Sequence, residues 1–267
     1  MKNILLLVHD DDGQEARFQA ALDVTRALNG HLTCLDVLAP HIVTGGIYGG
    51  GETVVLIEED VKQLAAQNRA ALEERLAHED VAWSWQEARG NFAQEVTRAA
   101  ELADLIVLSG HMEGFSHPDP RRLATDVVMK SGRAVLAMPE GCRGFEVAGR
   151  AMVAWDGSGP AANALKAALP LLRLAVDVTL FEVGEPDSEY PGTEAAKWLS
   201  RHEVHAKLLG REEEGSVADA ILGRAHHALA SYVVMGAFGH SPAVESILGG
   251  VTRSMLAKSD VPLLLAH

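Results

Sequence analysis

Two stretches of this chain, one beginning near Ile4 and one near Arg150, pass through the same succession of apolar blocks and turns. That repeat limits the folds available more than any other feature. Residues 4–8 form an unbroken apolar run closed by the turn at Asp10 to Gly13, and Arg150-Ala-Met-Val-Ala-Trp-Asp156 repeats the pattern. Gln19-Ala-Ala-Leu22 is answered by Lys166-Ala-Ala-Leu169, and His31-Leu-Thr-Cys-Leu-Asp-Val37 by Val176-Asp-Val-Thr-Leu-Phe-Glu-Val183. Further on, Ala103-Asp-Leu-Ile-Val-Leu108 corresponds to Ala230-Ser-Tyr-Val-Val-Met235, and Lys130-Ser-Gly-Arg-Ala-Val-Leu-Ala137 to Lys258-Ser-Asp-Val-Pro-Leu-Leu-Leu265. Continuous apolar runs suit strands covered on both faces, as in a parallel sheet. Between them, apolar residues at helical spacing (Ala16, Ala20, Leu22, Ala27) end at Asn29-Gly30, a helix stop. Strand, helix and parallel strand make a βαβ unit. We therefore expect an α/β chain of two tandem parallel-sheet, Rossmann-like units. They cover 1–140 and 150–267, joined by a glycine-bearing linker at 141–149. A length of 267 residues is comfortable for two such domains.

The first half should add a helix at 58–78, a strand at 81–88 around Trp83 and Trp85, and a helix at 92–103. A strand at 104–109, a helix at 123–131 and a closing strand at 133–138 follow. The glycine-rich segment 40–53 lacks the Gly-Lys-Ser/Thr ending of a P-loop, so it reads as a flap rather than a phosphate site. Apolar residues make up 48% of the chain, too many for disorder. The formal charge of −14 disfavours nucleic acid or an anionic membrane as partner, because such binding needs cations to neutralise phosphates. Cys34 and Cys142 form no disulfide or thiolate-metal motif. The opening apolar run is too short for a secretory leader, and no stretch of about 18 apolar residues suggests a membrane span. A cytoplasmic location is the expectation, since free thiols suit a reducing compartment.

The candidate site is the stretch from Tyr232 to Thr252. An apolar strand breaks at Gly236; Gly239 follows, and then the pair Gly249-Gly250 opens a helix at Val251. Glycine lets a backbone approach a ligand closely. Unpaired amides at a helix start, at the positive end of its dipole, suit an anion such as phosphate. In open parallel sheets ligands bind beyond the carboxyl ends of the strands where strand order reverses, so Asp156 and Gly236 should converge. His240 and Ser241 lie within the loop, placed for phosphate contact or, for Ser241, helix capping.

These residues resemble the universal stress protein family in its tandem two-domain form. The match rests on Val153-Ala-Trp-Asp156-Gly-Ser158, on Gly236-x2-Gly239-x9-Gly249, and on Val251-Thr252 ahead of the Val261-Pro262 strand. The resemblance implies the adenine nucleotide alpha hydrolase-like fold and ATP binding, with or without Mg²⁺, which Asp156 would help to hold. Gly236, Gly239, Gly249, Gly250 and the Val251 amide would face phosphate oxygens, with the Thr252 hydroxyl beside them. Asp156 would meet the ribose or adenine side, Ala154 and Val183 would line the base pocket, and Met235 would lie under the sugar. Gly250 departs from the family pattern, which has Ser or Thr there. The resemblance also implies that the final strands of the two halves pair as an internal pseudo-dimer, and it leaves a homodimer open.

The first half departs further. Ser109 and Met112 stand where Gly236 and Gly239 stand in the second, with Arg121-Arg122 near the place of Gly249-Gly250, and Asp10-Asp11-Asp12 would repel an anion. One nucleotide per chain is expected. Histidines at 202, 205, 226, 227 and 267 read as solvated surface rather than a metal cluster. No catalytic triad is visible, and the loop offers Glu245, His240 and Arg253 but no lysine, so the site should bind ATP more readily than it turns it over. The expected function is a nucleotide-binding stress-response regulator acting on an unidentified protein partner. The alternative is a stress scaffold that binds no nucleotide and works through protein contacts; an electron-transfer or nucleotidyl-transfer enzyme is weaker. Gly236→Val is expected to abolish nucleotide binding while leaving the fold intact.

Overall fold

A computed structural model describes residues 1–38, 51–110, 120–183, 190–210, 215–238 and 250–267, with backbone only at 51–61 and 120–122. Of the predicted segments, most of the flap at 40–53 and the loop carrying Gly239, His240, Ser241, Glu245 and Gly249 lie outside these residues, as does Met112.

The first half runs β1 (Asn3–Val8), α1 (Gln14–Leu28), β2 (His31–Leu38), α2 (Gly51–Leu76), β3 (Ala82–Arg89), α3 (Phe92–Ala99), β4 (Leu105–Ser109), α4 (Pro120–Ser131) and β5 (Ala134–Met138). The second runs β6 (Arg150–Trp155), α5 (Gly159–Leu172), β7 (Asp177–Glu182), α6 (Gly192–Arg201), β8 (Ala206–Gly210), α7 (Val217–His227), β9 (Tyr232–Gly236), α8 (Gly250–Lys258) and β10 (Leu263–Ala266). The α2 helix begins at Gly51, inside the predicted flap, and the helix predicted for 92–103 ends at Ala99 in a 3₁₀ turn, Ala100–Leu102.

Among the described residues, ten strands form one sheet, ordered β3-β2-β1-β4-β5-β10-β9-β6-β7-β8. Read outward from the centre, each half repeats the other. Every pairing is parallel except β5 with β10, whose antiparallel register sets Leu263 opposite Ala137 and Leu265 opposite Val135. The two most apolar end strands thus cover each other's open edges, which would otherwise invite other chains. Every residue of β4, β5 and β10 is buried.

Alternate residues of each strand feed two cores. Ala151, Val153 and Trp155 share one with α1, α2, α5 and α6, while Met152 and Ala154 share the other with α3, α4, α7 and α8. At about 25 cal/mol per Å² of apolar area, burying each leucine or valine contributes roughly 1.5–3 kcal/mol. The helix starts are fixed locally: Asn91, Ser158 and Ser216 each accept from the backbone N–H three residues on, a cap worth about 1 kcal/mol. Asn29, left-handed at φ 47°, closes α1 as predicted.

Candidate ligand site at the strand ends of the second half

Strand order reverses between β6 and β9, and both strands end at this point. Ala154 pairs with Met235 across the ladder, and the Val183 N–H donates to the Trp155 carbonyl at 2.7 Å. Ala154, Met235 and Val183 all belong to the core shared with α7 and α8. The predicted base-pocket residues are therefore neighbours on one face of the sheet. Asp156 follows β6 and is exposed; its Oδ1 accepts from the Ser158 N–H at 3.0 Å, and Ser158 Oγ in turn accepts from the Ala161 N–H at 3.2 Å. The turn orients the carboxylate beside the start of α5, and among the described residues no donor meets Oδ2.

Beyond β9 the chain passes Ala237 and Phe238, the latter left-handed at φ 58°. The Phe238 N–H donates to Thr252 Oγ1 at 3.4 Å in the first turn of α8. This hydrogen bond joins the two ends of the glycine-rich segment, so the start of α8 is held against the end of β9. Thr252 is only 5% exposed, and its hydroxyl serves this clamp. Gly250 is exposed, and a Cβ there would meet nothing within 4 Å among the described residues. Val251 packs half-buried on the α7–α8 core.

Gly236 has a different reason to be glycine from the one the sequence suggests. A Cβ on it would lie 2.7 Å from the Pro160 carbonyl carbon, and closer still to the Ala161 nitrogen. Its open side faces the backbone of α5 rather than the α8 side. Gly236→Val therefore cannot leave the fold intact, because the branched side chain would enter the first turn of a helix. Position 236 is a packing requirement whether or not its amide also serves a ligand.

His267 joins the site although its sequence position suggested plain surface. Its Nδ1–H donates to the Ala237 carbonyl at 2.9 Å, and Asn163 Nδ2 donates to the His267 carbonyl at 3.2 Å. The pairing of Ala266 with Gly236 is what carries it there. His226 bonds Asp260 at 2.7 Å and pulls that carboxyl below its usual range, while His202 stacks on Trp198 with ring centroids 4.0 Å apart.

At the matching corner of the first half, Arg17 is fully buried. Its guanidinium donates to the carbonyls of Leu7 (3.3 Å) and His9 (2.8 Å), to Asp11 Oδ1 (2.8 Å) and to Ser109 Oγ (2.6 Å). Asp11 is thus neutralised by an internal cation and is not free to repel an anion, contrary to expectation. Burial pulls the Arg17 guanidinium below its ordinary pKa, against the opposing pull of Asp11. The spacing of Arg17 within an amphipathic helix gives no sign of this role.

The sequence profile of the Universal stress protein family matches residues 148–267. The second half of the chain is thus similar in sequence to the universal stress protein family. In fold, the whole chain is similar to a universal stress protein from Archaeoglobus fulgidus DSM 4304, at 16% identity and a TM-score of 0.74, over 99% of this chain and 97% of that one. A protein of unknown function from Pseudomonas aeruginosa PAO1 matches at 16% identity and a TM-score of 0.58, over 100% of this chain and 92% of that one. A universal stress protein solved in complex with cAMP covers 51% of this chain, at 14% identity and a TM-score of 0.35. No curated protein sequence matches the chain significantly. The tandem α/β arrangement expected of the family is the one observed, with the final strands of the two halves paired. Among the described residues, no helix is long and apolar enough to cross a membrane.

Proposed function

We propose that this chain is a universal stress protein that binds one adenine nucleotide, ATP or a relative, at the strand ends of its second half and acts as a nucleotide-dependent regulator. The supporting observation is the convergence of Asp156, Val183, the end of β9 and the clamped start of α8 at the point where strand order reverses. In this reading Ala154 and Val183 floor the base, Met235 lies under the sugar, and Asp156 Oδ2 takes a ribose hydroxyl or a Mg²⁺ ion. Backbone amides of Gly236, Gly239, Gly249, Gly250 and Val251, with His240, surround the phosphates, and the dipole of α8 favours their charge. A Cβ at Gly250 would meet nothing within 4 Å among the described residues, and the side chain of Ala154 is small, both in keeping with such a ligand. With Thr252 committed to Phe238, main-chain nitrogens carry the anion contact. The functional units are 1–140 and 150–267, with 141–149 as linker, and the chain works in the cytoplasm through a protein partner.

The segment from Gly236 to Thr252 carries no lysine to stabilise a transferring phosphoryl group, so the site binds ATP more readily than it turns it over. Isothermal titration with ATP, ADP, AMP and cAMP, backed by native mass spectrometry of the purified chain, tests the reading. One adenylate bound per chain supports it. No heat, and no co-purifying nucleotide, would leave the protein-contact scaffold as the function.

A further inference from the structure

The sheet register gives each residue of one half a counterpart in the other. Ile4 pairs with Leu105 as Ala151 pairs with Tyr232, so Leu7 corresponds to Ala154, His9 to Asp156, Leu108 to Met235 and Ser109 to Gly236. Along the first helices, Gly13 corresponds to Pro160 and Arg17 to Ala164. The differences share one direction. Where the second half has the small Ala154, the first has the fully buried Leu7. Where the second has the exposed Asp156, the first has His9, whose ring meets Phe92 edge-on at 5.6 Å. Where the second has Ala164, Arg17 reaches into the corner between α1 and the ends of β1 and β4, held by four acceptors. Gly13 leaves room for this: a Cβ on it would lie 2.5 Å from Ser109 Oγ and 3.0 Å from Arg17 Nη1.

We propose that the base side of the first half is filled by its own side chains, Leu7 and the His9–Phe92 pair, while the Arg17–Asp11–Ser109 cluster fixes the turn that carries His9 from the opposite, α1 face of the sheet. The base side is then closed without a ligand, and the chain is a one-site sensor built against a permanently closed reference half. The proposal rests on the reading of the second half for what the ligand is, but not for whether the first half is closed. Arg17 and Asp11 are an ion pair with side chains 0% and 8% exposed, and removing one member of such a pair strands the other in low dielectric. Breaking it should therefore loosen the turn that holds His9 against Phe92.

Hydrogen exchange by mass spectrometry on the full chain, with and without saturating Mg·ATP, tests this directly. In the unaltered protein, peptides covering 3–17 and 105–110 should be protected without nucleotide and should not change on adding it. Peptides covering 151–163 and 232–238 should slow on addition. Arg17→Met should raise exchange across 9–17 by at least about tenfold in ligand-free protein. Slowing of 3–17 or 105–110 by ATP, or unchanged exchange in Arg17→Met, would overturn the proposal. If ATP alters neither half while 3–17 and 105–110 are protected without it, the nucleotide reading fails and the filled first half stands. The comparison on the unaltered chain needs no substitution, so it remains decisive if the variant does not fold.

Discussion

Gly236→Ala isolates the steric reason for the first glycine of the motif. The added Cβ would lie 2.7 Å from the Pro160 carbonyl carbon, where an ordinary contact is about 3.4–4 Å, so β9 and α5 must separate by roughly 1 Å. Forcing a methyl into a packed contact of this kind costs about 1–3 kcal/mol. The atoms displaced first belong to the turn in which Ser158 Oγ accepts from the Ala161 N–H, and losing that cap adds about 1 kcal/mol. The expected loss is about 2–4 kcal/mol, which lowers the thermal midpoint by about 5–15 °C for a chain of this size. Thermal unfolding followed by circular dichroism, with urea titration to confirm an unchanged slope, reads it out. A midpoint within about 1 °C of the parent would mean that β9 and α5 are not in the contact described, and the packing account of Gly236 would fail.

Three further substitutions probe the same surroundings. Gly250→Ala meets no described neighbour and improves helix propensity, so stability should hold or rise by about 0.4–1 kcal/mol in a melt. Titration calorimetry should nonetheless show ATP affinity falling at least tenfold, roughly 1.4 kcal/mol, if the phosphates approach this backbone. Thr252→Val removes the acceptor of the Phe238 N–H; at 3.4 Å that bond is long, so chemical denaturation should register a loss of only about 1 kcal/mol. Asp36 faces Glu87 across the β2–β3 ladder, and burial first, then Glu87, pushes its pKa up to about 6 against the pull of Arg69. A carboxyl with a raised folded pKa loses stability as pH climbs from its unfolded value near 4 through 6. Asp36→Asn should thus be more stable than the parent at pH 7–8, by about 1 kcal/mol after solvent screening, with the gap closing below about pH 4 in urea melts at each pH.

The strands were legible because an apolar run buried on both faces leaves little else for residues such as 105–108 to do, and the repeat of such runs revealed the two halves. The neighbourhood of Asp156, Val183 and Met235 was legible for a related reason, since topology alone brings the carboxyl ends of adjacent parallel strands together. Gly236 was read as room for a ligand because its real neighbour, the backbone of Ala161, comes from a helix remote in sequence. Arg17 was missed because a lone arginine among Ala16, Phe18 and Ala20 gives no local sign that its head is buried; only tertiary structure supplies Leu7, His9 and Ser109 as acceptors. His267 was missed because the pairing of Ala266 with Gly236 is a long-range fact. Helix limits also escaped where glycines misled: Gly51 begins α2 rather than ending a loop.

The central antiparallel seam has a consequence for how the protein is made. β5 is complete once Met138 is polymerised, yet its partner edge comes from Leu263–Ala266. At about 5–20 residues per second, translation leaves a buried-type apolar edge waiting on the order of ten seconds for its mate. During that interval the newborn first half is most open to pairing with the wrong strand, including the same edge on a neighbouring ribosome.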